Sequence, residues 1–214
     1  MIRPEVPRVS EVDPLIETLA AGTELVRIYP QARGALGFNA TDGLGRFRPT
    51  SDRRGRVVPT VYLAADEETA LAEAVLRGVS ALERGDLPRR LYRSQVSGLA
   101  MCSLRLIAGV RVARLHGAGL TRLGLLRRHV IDCEEAEYPY SARWAQALWG
   151  SRRRPAGISW TSRQNDSTRA YMLWETRLKT QPLAIVRDEL ALDCGPGMDL
   201  VRIACVNSNV DFEA

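Results

Sequence analysis

The sequence predicts an α+β fold: a single domain in which mixed and antiparallel sheets carry flanking helices. Three observations lead there. The chain has 214 residues, 45% apolar and 26% charged, which suffices for one sizeable core and is short for two full domains. Several segments alternate apolar residues with arginine, the pattern of a sheet with one wet face. Between them stand segments with helical spacing and helix-start residues.

Residues 1–22 read as an arm followed by a short helix, and residues 23–214 as the main domain. Asp13 would cap that helix, Leu15, Ile16, Leu19 and Ala20 form its stripe, and Gly22 stops it. Residues 24–29 read as a strand ended by Pro30. Arg27 interrupts its apolar run, and an arginine there needs a partner, either a phosphate or a carboxylate of the chain itself. Residues 34–55 form a glycine-rich polar loop able to approach a ligand closely, although its glycines match no phosphate-binding fingerprint.

Val57, Val58, Val61, Tyr62 and Leu63 have the β-branched and aromatic content of a buried strand, entered through Pro59. Asp66 is placed to cap the next helix, with Glu67 and Glu68 in the first turn, where the helix dipole favours negative charge. Ala70, Leu71, Ala74 and Val75 make its apolar face. Glu73 lies off that face, one turn before Arg77, so spacing alone makes it half of a solvated ion pair. On the same grounds Arg46 is a surface arginine and Tyr62 a core residue.

Residues 78–88 read as the polar exit of this helix, and 91–96, 102–107 and 110–115 as strands. Residues 120–130 have helical character. His129 and Cys133 stand one turn apart, but with His116 as the sole further histidine they do not make a zinc site, and no metal is expected. Residues 142–149 form a helix capped by Ser141, with Trp144, Ala145 and Leu148 on one side. The run Arg152, Arg153, Arg154 reads as a solvated loop, since no aromatic residues interleave it. Ser162 follows the apolar stretch 157–161, and 170–174 fits a strand, with helix as the alternative. Segments 183–186, 190–192 and 200–206 read as short strands, with a turn at 194–197.

Composition narrows the function classes. No apolar run reaches membrane-span length and the N-terminus lacks a signal-like hydrophobic region, so a cytoplasmic protein is expected. Four cysteines without a C-x-x-C pair fit reduced thiols. The formal charge is +5 and Lys179 is the single lysine, so the positive charge is almost all guanidinium. That suits a dinucleotide, RNA or an acidic protein surface.

Five features occur in a fixed order: the strand arginine Arg27; Gly45-Arg46-Phe47; the strand Thr60-Val61-Tyr62-Leu63-Ala64; the helix segment Ala70-Leu71-Ala72-Glu73; and Trp160-Thr161-Ser162-Arg163. Together they resemble the RES domain, named for its arginine, glutamate and serine. Many members have tryptophan and then asparagine after the motif arginine, where this chain has Phe47, Arg48 and Pro49. Ser159 is the rival for the serine position if the register slips.

The resemblance implies an ADP-ribosyltransferase-like fold and a toxin of a toxin–antitoxin pair that cleaves the nicotinamide–ribose bond of NAD+, by phosphorolysis or hydrolysis. NAD+ is then the substrate and no cofactor is expected, with inorganic phosphate as a co-substrate of the phosphorolytic route. Glu73 would stabilise positive charge on the ribose. Arg27 and Arg46 would hold the pyrophosphate, Tyr62 and Phe47 would pack on the nicotinamide or its ribose, and Ser162 would fix a polar group. The implied partner is a helix-turn-helix antitoxin of Xre type, and nucleic acid is met only through it. The loop 34–55 and the terminal segments are candidates for that contact. Two alternatives stand beside this reading: a mono-ADP-ribosyltransferase acting on a cellular protein, and a non-enzymatic basic RNA-binding module.

Overall fold

The apolar segments assemble chiefly into one eight-stranded sheet, seen in a computed structural model that describes residues 3–43, 45–79, 89–163, 165–179 and 181–213. The strands are β1 Ile16–Leu19, β2 Glu24–Pro30, β3 Thr60–Ala64, β4 Arg90–Tyr92, β5 Leu99–Leu106, β6 Val110–Arg114, β7 Gly157–Thr161, β8 Arg169–Trp174, β9 Leu183–Ala191 and β10 Asp211–Glu213. The large sheet has the order β1-β6-β7-β8-β3-β2-β5-β9, while β4 and β10 pair separately. Within the large sheet only β6 and β7 run parallel.

Connectivity dictates its shape. β5 and β6 stand five places apart in the sheet but are joined by residues 107–109 alone. A flat sheet would set them roughly 24 Å apart at the usual strand spacing. Such a link spans about 14 Å at most. The sheet therefore curls, and Leu104 and Leu106 of β5 pack in one inner cluster with Val110 and Val112 of β6.

The outer face is covered in two patches. Alternation along β8 sends Ala170, Met172 and Trp174 outward and Tyr171 and Leu173 inward. Helix α5 (Tyr138–Gly150) lays Trp144, Ala145 and Leu148 over Ile158, Trp160 and Met172. Helices α1 (Glu67–Ala74) and α6 (Gly195–Asn207) cover Val26, Ala64 and Met101. A cavity lies between the two patches.

The α+β class holds, and several elements differ from expectation. Residues 16–19 form β1 rather than a helix, because Ile16 to Leu19 ladder onto β6 from Ala113 to Val110; the segment belongs to the sheet. The expected strand 91–96 stops at Tyr92, where α2 (Arg93–Val96) begins and the Gln95 side chain accepts from the Tyr92 N–H (2.8 Å). The expected helix 120–130 is two short ones, α3 (Ala118–Arg122) and α4 (Arg127–Val130), because Gly124 turns the chain at φ 67°. Helix α5 starts at Tyr138 with Pro139 in its first turn, so Ser141 lies inside it instead of capping it. Residues 200–206 lie in α6, whose buried Val201, Ala204 and Cys205 follow helical spacing. Segments 183–186 and 190–192 belong to the single strand β9 or its end. Of the expected exit 78–88, residues 80–88 lie outside the described residues.

Candidate active site

The site is built where β3 turns into α1. Asp66 caps α1 by accepting from the Thr69 N–H (2.7 Å), which fixes where the helix begins after β3. Glu73 in its last turn then faces the loop before β3. Arg46 from that loop is 2% exposed, and its Nη1 meets Glu73 Oε2 at 3.1 Å. The backbone that presents Arg46 is pinned from both sides. Its carbonyl accepts from Ser141 Oγ inside α5, and the next N–H, of Phe47, donates to the Tyr62 hydroxyl (3.4 Å).

Glu73 Oε1 is held from a third element. Ser162, just past β7, donates through Oγ at 2.8 Å, and the Arg163 N–H donates at 3.1 Å. Arg127 steadies that turn by donating to the Ser162 carbonyl (2.7 Å) while pairing with Asp132 and Asp166. Both carboxylate oxygens are thus oriented by groups distant in sequence.

The electrostatics follow from these contacts. Burial pushes the Glu73 carboxyl up, but Arg46, Ser162, the Arg163 N–H and Arg77 together outweigh it and hold it below its ordinary value. Glu73 is therefore an anion at neutral pH. Burial raises the Tyr62 hydroxyl, so it stays protonated. Arg77 lies over the Tyr138 ring, 4.6 Å from its centroid, and burial followed by the nearby Arg46 charge lowers its pKa.

The cavity measures about 700 Å³, within the range of small-molecule sites. Its sheet wall includes Val26, Ile28, Tyr62 and Trp160, and Arg33, Arg46, Arg48, Arg77 and Arg163 line it as well. Phe47, fully buried, packs edge-on against Trp160 at 5.1 Å, and Tyr62 does so at 6.1 Å. The arrangement offers a fixed carboxylate, an aromatic wall and a cationic lining.

The model of the RES domain family matches residues 24–193. The chain belongs to the RES domain family. Among solved structures, the M. tuberculosis MbcT–MbcA toxin–antitoxin complex contains a chain similar in fold: TM-score 0.63, 15% identity, 86% of this chain and 92% of that one. The comparison with curated proteins gives no match.

In this RES domain the expected Arg46, Tyr62, Glu73 and Ser162 come together, whereas Phe47, expected against the ligand, is fully buried behind Trp160 and does not line the cavity. Arg27 does not join them. Val26 and Ile28 on either side of it line the cavity, so Arg27 points to the inner face. It is 3% exposed, lies on the Tyr29 ring at 5.0 Å, and donates to the carbonyls of Gly34, Ala35 and Gly37. Its partners are backbone carbonyls, neither phosphate nor carboxylate, and burial lowers its pKa to about 10. Ser159 is also ruled out as the contact of Glu73, since it alternates with the outward Ile158 and Trp160.

Trp160, Arg163 and Arg77 were not anticipated as site residues. The first two stand within the motif around Ser162, and Arg77 sits one turn after Glu73, so proximity to motif residues was the available signal. His129 and Cys133 serve local structure: His129 Nδ1 accepts from the Leu126 N–H (3.1 Å), and Cys133 faces Ser141 Oγ. Arg153 pairs with Asp13 at 2.6 Å. Among the described residues no helix is long and apolar enough to cross a membrane.

Proposed function

We propose that this RES domain is the toxin of a toxin–antitoxin pair and depletes NAD+ in the cytoplasm by cleaving its nicotinamide–ribose bond. The observation that carries this is Glu73: a buried carboxylate kept ionised and oriented by Arg46, Ser162 and the Arg163 N–H on the wall of an arginine-lined cavity. Breaking the bond leaves positive charge on the ribose carbon. A preorganised anion in a low-dielectric site stabilises that charge more than water does. Nicotinamide departs as a neutral molecule with the bonding electrons, so no strong general acid is needed.

Each remaining residue has a place in this scheme. Ser162 and Arg46 set the carboxylate's direction, Tyr62 and Trp160 offer a wall for the nicotinamide or ribose ring, and Phe47 buttresses that wall from behind. The cation is then captured by water, giving ADP-ribose, or by inorganic phosphate, giving ADP-ribose phosphate. The fold likeness to a chain of a toxin–antitoxin complex supports an antitoxin partner, and the family resemblance supports one of Xre type. The test is NAD+ concentration over time with purified protein, with and without phosphate, and product masses. Loss of NAD+ with release of nicotinamide supports the reading. NAD+ that stays intact until a protein acceptor is added, and labels that acceptor, would replace it with protein ADP-ribosylation.

A further inference from the structure

Two of the cavity arginines already hold carboxylates: Arg46 holds Glu73, and Arg163 holds Glu134 at 2.8 Å. Arg77 lies on the Tyr138 ring. Arg33 and Arg48 differ from these. Among the described residues neither guanidinium has a carboxylate or carbonyl acceptor, and Arg48 Nη1 is buried without one. A buried N–H is costly to leave unmade, and on the wall of a cavity a bound anion can supply its acceptor.

Both residues belong to the segment between β2 and β3, and both line the same cavity. Gly45 makes room for Arg48 to lie back along this segment, since a Cβ there would stand 3.2 Å from Arg48 Nε. Arg48 lines the same cavity as Tyr62 and Trp160 of the aromatic wall. Planar guanidinium forks match phosphate oxygens in two-point contacts.

We propose that Arg33 and Arg48 form a phosphate-binding subsite of the cavity, separate from the Arg46–Glu73 pair. The phosphate is either the pyrophosphate of the dinucleotide or free inorganic phosphate. The ligand class rests on the NAD+ reading, whereas the binding itself is measured without turnover.

The experiment is calorimetric titration of ADP, and separately of inorganic phosphate, into the wild type, Arg33→Gln, Arg48→Asn, Arg48→Lys and the control Arg53→Gln, whose side chain is exposed outside the cavity. Arg33→Gln and Arg48→Asn should weaken binding about tenfold or more, Arg48→Lys less, and Arg53→Gln not at all. Loss for ADP alone assigns the pyrophosphate, and loss for phosphate alone assigns the free anion. If Arg48→Asn does not fold, the half-buried Arg33→Gln decides. Unchanged affinities in the cavity variants, or a wild type that binds neither anion, overturn the subsite. Arg48-dependent ADP binding without NAD+ cleavage would leave the subsite standing and remove the cleavage reading instead.

Discussion

Arg27 and Arg46 are buried to the same degree, yet they lie on opposite faces of the curled sheet and have different partners. Arg27 closes the inner face with three loop carbonyls, all made within one stretch of chain. Arg46 meets a carboxylate that a helix, a serine and a backbone N–H hold beside an open cavity. Burial of a cation is thus no mark of a site in itself. What distinguishes Arg46 is a partner anion reachable by a ligand.

Substitution of these two arginines should separate their roles. Arg46→Gln removes the cation nearest the carboxylate, and kcat should fall about a hundredfold, with a loss of stability as well because Glu73 is left a buried charge without its partner. Arg27→Leu leaves the loop carbonyls without their donor and should cost about 2–3 kcal/mol of stability, with turnover per folded molecule retained. Urea unfolding beside steady-state kinetics checks both. Equal losses of turnover at the two positions would erase the contrast.

Ser162→Ala sharpens it further. Loss of one donor should lower kcat about tenfold and raise the Glu73 pKa towards its ordinary value of 4.5. The sign is fixed by the depressed folded-state value. The ionised form, and the stability it contributes, persist above the unfolded pKa and are lost as pH falls through the folded one. In Ser162→Ala the acid limb of the rate profile should therefore begin at higher pH, whereas Arg27→Leu should leave that limb in place. The smallest effect is expected of Asp66→Ala, which removes the α1 cap and about 1 kcal/mol of stability.

The central residues were legible because short motifs named them. Arg46, Tyr62, Glu73 and Ser162 each sit in a recognisable stretch, although the contacts among these four span up to 89 positions and no spacing rule predicts them. The face on which Arg27 lies was not legible, since alternation says that it opposes Val26 and Ile28 without saying which side carries the cavity. Residues 200–206 show a second limit. A short apolar run fits a buried strand or a helix equally, and the signal that decides it, Pro196 in a first turn, lies outside the run. In β1, the 15, 16, 19, 20 spacing mimics a helix, and only the ladder to β6 overrides it.

The most direct measurement is NAD+ consumption by Glu73→Gln against wild type, with substrate binding followed in parallel. The amide is nearly isosteric but cannot carry the anion that Arg46, Ser162 and Arg163 hold in place. Turnover should drop by about a hundredfold or more while NAD+ still binds. Wild-type turnover in Glu73→Gln would contradict the account.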